Sequence, residues 1–229
     1  MKNLIFTQIK YRFNYIFNQI FKEYFKKRIK LDWRLTAKRY DILNGIIKNQ
    51  NYKSYLEIGC DQNATFNEVK IENKIGVDPK SGGTIRKTSD AFFKDNKLFF
   101  DIIFIDGLHT YEQVKKDINN SLNFLKPTGV ILLHDCLPLK IRDQMIPRSH
   151  DHWNGDTWKA IVESRTRNDL DTYTCEADHG IGIIFKRNNK QMLKLDNTNF
   201  KALKFKDYYN NYKNFMNPIK ETQISNLFK

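Results

Sequence analysis

Asp101-Ile-Ile-Phe-Ile-Asp106-Gly-Leu-His109-Thr-Tyr111 decides the architecture of this chain. A short, unbroken apolar run between polar residues is the pattern of a strand buried on both faces, as in a parallel sheet. The run ends by delivering Asp106 and His109 together. Gly129-Val-Ile-Leu-Leu-His134-Asp135 repeats the arrangement, so a second apolar run also ends in an acid and a histidine. In open α/β sheets ligands bind beyond the carboxyl ends of the strands, which is where both pairs fall. The competing reading is structural: Asp106 and Asp135 would cap helices, with hydrogen-bonded histidines beside them.

Outward from this pair, short apolar strands at 54–58, 74–77, 101–105 and 130–133 alternate with helical stretches around 62–70, 111–125 and 156–165. That alternation predicts an α/β fold, a Rossmann-like parallel sheet flanked by helices. Gly180-Ile-Gly-Ile-Ile-Phe185 is expected to be the final strand, and residues 35–49 a helix leading into the domain. In Tyr55-Leu-Glu-Ile-Gly-Cys-Asp61 a strand runs into a glycine turn, where Gly59 lets the backbone approach a ligand that a Cβ would obstruct. Asp78 follows the next strand, placed to accept the hydroxyl protons of a ribose. A turn glycine and a surface aspartate are the plainer alternatives. No Gly-x-Gly-x-x-Gly follows any strand, which sets aside a nicotinamide dehydrogenase.

The 229 residues allow one ordinary domain with terminal extensions. Three segments are expected: a basic amphipathic N-terminal helical arm over 1–33, the α/β domain over 34–187, and a helical, Lys/Asn/aromatic-rich tail over 188–229. Residues 1–40 hold eleven Lys and Arg against Glu23 and Asp32, a balance of +9 within the chain's +13. The body is nearly neutral, so no nucleic-acid partner is expected. In the arm, Phe6, Ile9, Phe13, Phe17, Ile20 and Tyr24 recur at steps of three and four, with Lys26-Lys27-Arg28 at its end. One reading is a helix over 3–31 that adheres to an anionic membrane surface. The other is a helix that packs on the body or on a second subunit of a homo-oligomer. Cys60, Cys136 and Cys175 form no Cys-x-x-Cys pair, so neither a disulfide framework nor a zinc site is expected. Lys10 and Arg12 interrupt the first apolar residues, and no run of about eighteen apolar residues exists. The expected compartment is the cytoplasm, with the arm as the means of reaching the inner membrane surface.

The ordered set Leu56-Glu-Ile-Gly59, Gly76-Val-Asp78-Pro79, Thr88-Ser-Asp90-Ala-Phe-Phe93, Ile105-Asp-Gly-Leu-His-Thr-Tyr-Glu112, Leu125-Lys-Pro-Thr-Gly129 and His134-Asp-Cys136 resembles the class I methyltransferases that include macrolide-sugar O-methyltransferases and enzymes of bacterial glycan clusters. The resemblance is strong over about 85 residues and weaker over about 50 more, including Trp153-Asn-Gly-Asp-Thr-Trp158-Lys. It implies S-adenosylmethionine as cofactor, held by Glu57, Gly59, Asp61 and Asn63, with Asp78 at the ribose, Ser89 and Asp90 at the adenine, and Asp106 nearby. It also implies a divalent cation, magnesium, on Asp106 and Asp135, with His134 where relatives place a further carboxylate. His109 is the candidate base, neutral near pH 7 at its ordinary pKa of about 6.5; His134 is the second candidate. Tyr111 and Trp153 are expected to meet the acceptor, a sugar or other small hydroxyl compound. The 150–158 segment is either a loop over that acceptor or a helix start, with Asp156 as cap and Trp158 in the core. The family's usual second glycine is replaced by Asn63, a residue that tolerates left-handed backbone. A nucleic-acid or protein methyltransferase, and a non-catalytic member serving as a membrane-associated or assembly module, are the alternatives.

Overall fold

A computed structural model describes residues 2–196 and 198–229. Helix α1 spans Lys2–Phe21 and α2 spans Arg39–Gln50. Strand β1 (Ser54–Ile58), helix α3 (Ala64–Glu68), strand β2 (Asn73–Val77), helix α4 (Ser89–Asp95), strand β3 (Phe100–Ile105) and helix α5 (Tyr111–Phe124) then alternate. Strand β4 (Leu125–Leu133), helix α6 (Ile141–Gln144), helix α7 (Trp158–Thr166), strand β5 (Leu170–Cys175) and strand β6 (Ile181–Lys186) follow. Helix α8 (Phe205–Met216), the two-residue strand β7 (Pro218–Ile219) and a final 3-10 helix at Glu221–Phe228 close the chain.

The strands form one seven-stranded sheet in the order β2-β1-β3-β4-β6-β5-β7. Strands β1 to β4 pair in parallel, while β6 runs antiparallel to both β4 and β5. The expected α/β sheet is therefore present with one reversed strand. Apolar side chains alternate between its faces: Leu56, Ile103, Ile105, Ile131 and Leu133 pack toward one core with Val114, Ile118, Trp158 and Ile161. Tyr55, Ile102, Phe104, Val130 and Leu132 pack toward the other with Ile42, Leu43, Ile46 and Ile47. Burial on both faces is why these strands are continuous apolar runs in the sequence.

The reversal of β6 matters for the site. The turn 176–180 joins the carboxyl end of β5 to the start of β6, so it emerges at the same edge as the carboxyl ends of β1, β3 and β4. Strand β5, Leu-Asp-Thr-Tyr-Thr-Cys, is buried throughout although half of it is polar. Its Asp171 is compensated by Arg187, 2.7 Å away.

The helix expected over 3–31 ends at Phe21. Beyond it, Glu23 accepts from the backbone N–H groups of Phe205 and Lys206, capping α8 at 2.8 and 2.9 Å. Phe25 packs on Phe205 and Tyr209. These tertiary contacts override the helical period. The C-terminal stretch is built into the body: Phe205, Tyr208 and Met216 are fully buried, and β7 extends the sheet.

Candidate functional site

Parallel pairing brings the ends of β1 and β3 side by side, and the backbone N–H of Asp106 donates to the Ile58 carbonyl at 2.8 Å. Gly59 turns here with φ +87°, and a Cβ on it would lie 2.4 Å from the Asp106 carbonyl oxygen. The glycine is thus required by close passage of the β3 turn, and it also lines the cavity described below.

Beyond this turn the charged residues gather. Asp106 places Oδ1 3.2 Å from His109 Nε2 and 3.2 Å from His134 Nδ1, and its Oδ2 accepts from Arg39 at 2.9 Å. Asp135 places Oδ2 3.2 Å from His109 Nδ1 and from His134 Nδ1. Its Oδ1 accepts from Asn154 at 2.8 Å. Asp135 has φ +58°, a left-handed conformation that non-glycine residues adopt at a cost. Asp178, from the turn before β6, accepts from the backbone N–H and the Nε of Arg39 at 2.7 and 3.0 Å. Neither Asp106 nor Asp135 caps a helix, so the structural alternative for this pair fails: Thr110 and Lys140 occupy the N-cap positions of α5 and α6.

Burial opposes ionisation of all these groups, and the mutual attraction of acids and bases overcomes it. Asp106 stays well below the usual carboxylate range because His134, His109 and Arg39 surround it. Asp135 is lowered likewise by His134 and His109. His109 is raised to about 9, since burial is outweighed by Asp135 and Asp106, and His134 is raised by the same two carboxylates. With the two carboxylates unscreened by a cation, the protonated imidazole is favoured.

His134 is 4% exposed, and its two ring nitrogens make no aligned hydrogen bond despite the nearby carboxylates. One ligand atom each from Asp106, His134 and Asp135 fall within 4.8 Å of one another. Two carboxylates and an imidazole with orphaned nitrogens fit a divalent cation by donor chemistry. Among the described residues, His134 lies beside the two carboxylates that the sequence offered as ligands.

A cavity of about 410 Å³ opens over this cluster. Its wall includes Glu57, Gly59, Asp61, Asp106, His109, His134, Asp135 and Trp153. Glu57 is nearly inaccessible and accepts from the Tyr55 hydroxyl; burial pushes its carboxyl up to about 7. Trp153 lies over His109 with ring centroids 5.6 Å apart and donates Nε1–H to the Met145 carbonyl. Gly155, φ +61°, permits the same loop to press on the His109 carbonyl, leaving no room for a Cβ. The 150–158 segment thus serves as a wall of the cavity as well as the approach to α7. Trp158 is in the core, and Asp156 caps α5 through the Tyr111 N–H at 2.7 Å rather than its own helix.

Five expected contacts lie outside the cavity wall. Tyr111 is buried and its hydroxyl donates to Glu163, which corrects its assignment to the acceptor. Ser89 and Asp90 accept from Gln113 at 3.2 Å, where α4 meets α5. Asp78 accepts from four backbone N–H groups, those of Cys60, Asp61, Lys80 and Ser81, so each oxygen already holds two donors. It ties two turns together. Asn63 adopts the left-handed conformation anticipated for it, φ +64°, and its Oδ1 accepts from the Gly83 N–H at 2.6 Å.

Arg39, Asn154, Asp178 and His179 were not singled out in the sequence. The signal for two of them is Asp178-His179-Gly180, an acid and a histidine beside the last strand, the same pairing that marks the other two strand ends. Arg39 carries no such signal.

A seven-stranded sheet of this order with one reversed strand, bearing acidic groups at its carboxyl edge, defines the class I methyltransferase fold. Residues 50–136 match the family model described as a methyltransferase domain. Among solved structures, the chain is similar to the O-methyltransferase TomG from Streptomyces achromogenes, involved in tomaymycin synthesis and solved in complex with SAM (9% identity, 79% of this chain and 99% of that one, TM-score 0.51). It is also similar to an SAH-bound methyltransferase from Podospora anserina (18%, 66% and 78%, TM-score 0.50). A third similarity is to an O-methyltransferase from Bacillus cereus in complex with SAH (12%, 79% and 90%, TM-score 0.50). At such identities these likenesses establish the fold. No curated protein matches the chain.

Proposed function

We propose that this protein transfers a methyl group from S-adenosylmethionine to a hydroxyl of a small molecule, with a sugar as the acceptor. The observation that carries the reading is the convergence of Asp106, His109, His134 and Asp135, from two strand ends, on one cavity wall. The cofactor, when bound, supplies an electrophilic methyl on a sulfonium. Glu57 and the turn from Gly59 to Asn63 would hold it, the buried carboxyl facing its cationic part. Asp106, His134 and Asp135 would hold a divalent cation such as magnesium, whose chemistry is to lower the pKa of a bound hydroxyl.

The remaining work belongs to the side chains. Trp153 offers an aromatic face for an acceptor ring beside His109. Neutral His109 takes the hydroxyl proton of the acceptor, and Asp106 and Asp135 hold its ring in place and stabilise the imidazolium that forms. Arg39 and Arg148 are the basic lining residues besides the histidines, which suits a small acceptor better than a nucleic acid.

Calorimetric titration with S-adenosylmethionine, with and without magnesium, tests the reading. Saturable micromolar binding is expected, and His109→Ala should keep binding while losing turnover. Unimpaired turnover in that variant would remove His109 from the chemistry. Absence of binding in both conditions would favour a non-catalytic fold, a reading supported by the saturated Asp78 and by Arg39 seated on Asp106.

A further inference from the structure

Helix α1 is amphipathic in the inverse sense. Asn14 and Asn18, 7% and 3% exposed, face the protein, and their side-chain amides donate to the Arg148 and Pro147 carbonyls at 2.7 and 3.4 Å. On the opposite side Phe6, Ile9, Phe13, Ile16 and Ile20 recur at steps of three and four, forming one stripe. Phe6, Phe13 and Ile20 are 71%, 69% and 66% exposed. A helix that only packs on its own body would present these faces the other way round.

The charges around the stripe say what covers it. At about 100° per residue, Lys10 and Arg12 fall on its two shoulders, and both are exposed. No acidic residue occurs before Glu23, and exposed Lys22, Lys26, Lys27, Arg28 and Lys30 continue the positive charge past the helix. A second copy laid on the stripe would bring these cations against their own equivalents, with no acid in the helix to pair them. Anionic lipid offers both what the stripe lacks, an apolar layer, and what the shoulders lack, phosphates.

We propose that α1 is an interfacial helix that seats the protein on an anionic bilayer, Phe6, Ile9, Phe13, Ile16 and Ile20 entering the acyl boundary while Lys10 and Arg12 meet headgroup phosphates. The seating reaches the cavity through one loop. Asn14 and Asn18 hold residues 147 and 148, and the Arg148 guanidinium lies 5.8 Å from the Tyr11 ring and 5.7 Å from the Trp153 ring. Arg148 and Trp153 both line the cavity, so a docked α1 holds that wall beside the membrane. The inference is independent of methyl transfer, because it rests on a helix that supplies no residue to the cavity wall.

The test is co-sedimentation of the full chain with vesicles of phosphatidylcholine and phosphatidylglycerol in equal parts, against phosphatidylcholine alone. Binding to the mixed vesicles, weakened by salt and absent on the neutral ones, is expected. Phe13→Glu combined with Ile16→Glu alters two exposed positions, leaves the core untouched, and should abolish binding. Lys10→Glu with Arg12→Glu should lower binding while the apolar stripe stays intact. Light scattering runs alongside. No vesicle binding, or a dimer dissolved by the Phe13/Ile16 variant in place of vesicle binding, would overturn the proposal. Undiminished binding of that variant would assign the attachment to residues other than α1 and overturn it equally. Cofactor titration without vesicles reads the catalytic proposal separately.

Discussion

Strand β3 carries a carboxylate at each end, and the two are equally shielded, with side chains 12% and 15% exposed. Asp101, at the amino end, accepts from the Lys53 and Ser54 N–H groups, the Ser54 hydroxyl and the Lys126 ammonium, all within 3.0 Å. Burial would raise its pKa, but these donors hold it below the usual value. Asp106, at the carboxyl end, meets two histidines and an arginine, and one of those histidines has no aligned partner at all. Side-chain exposure is alike at the two ends; the difference is what surrounds each carboxylate and whether the fold itself completes its hydrogen bonds. Where backbone donors saturate a carboxylate the group is a fastening. Where titratable side chains surround it incompletely, it is a place for something to bind.

The contrast is most exposed to Asp106→Asn, which keeps the shape and removes the charge. Turnover should fall by about 10²–10³-fold, the scale for losing a charged group at the reacting atoms. Methyl transfer under saturating cofactor checks this. Asp101→Asn should do the reverse, costing about 2–3 kcal/mol in denaturant unfolding while the folded fraction retains its turnover. A comparable loss of turnover in both variants would break the distinction between the two ends.

A third carboxylate sharpens the point about burial. Asp117, 1% exposed on α5, accepts from Gln113 at 3.0 Å. Burial raises its carboxyl to about 6, against the smaller opposing effect of Ser89 and Gln113. The folded state then binds the proton more tightly than the unfolded chain, whose value lies near 3.8. Stability is fully supported below about pH 4 and declines as pH rises toward about 6, then levels off. Asp117→Asn should remove that slope and stabilise the protein at pH 7 by about 2 kcal/mol, measured by unfolding at several pH values. An unchanged slope would show that Gln113 and Ser89 compensate the charge in full.

The parts of this fold legible in the sequence are those where burial imposes a simple pattern. The runs at 101–105 and 130–133 are apolar because both sheet faces are covered, and the acid–histidine pairs that follow them are local in the chain. Strand β5 was not legible, because Asp171 and two threonines interrupt its apolar character; Arg187, sixteen residues on, makes the aspartate tolerable. Missing β5 hides the turn that brings Asp178 and His179 to the site. Arg39 was illegible for a stronger reason: its partners Asp106 and Asp178 are distant in sequence and meet only in the folded sheet. The direction of α1 was legible as a period but not as a facing, since a period does not say which side meets the protein.

Asn63 gives the smallest and most discriminating test. It stands where the resemblance drawn from the sequence implies a glycine, in a left-handed conformation that glycine adopts more readily. Its Oδ1, however, fastens the Gly83 N–H, so it resembles Asp101 more than Asp106: the fold completes its bond. Asn63→Gly gains backbone ease and loses that hydrogen bond, two effects of opposite sign and each about 1 kcal/mol. Unfolding stability should move by less than about 1 kcal/mol, and S-adenosylmethionine affinity by no more than about threefold, which is some 0.7 kcal/mol. A gain of tenfold or more in affinity would show instead that the asparagine side chain obstructs the turn, placing Asn63 with the residues that face a ligand.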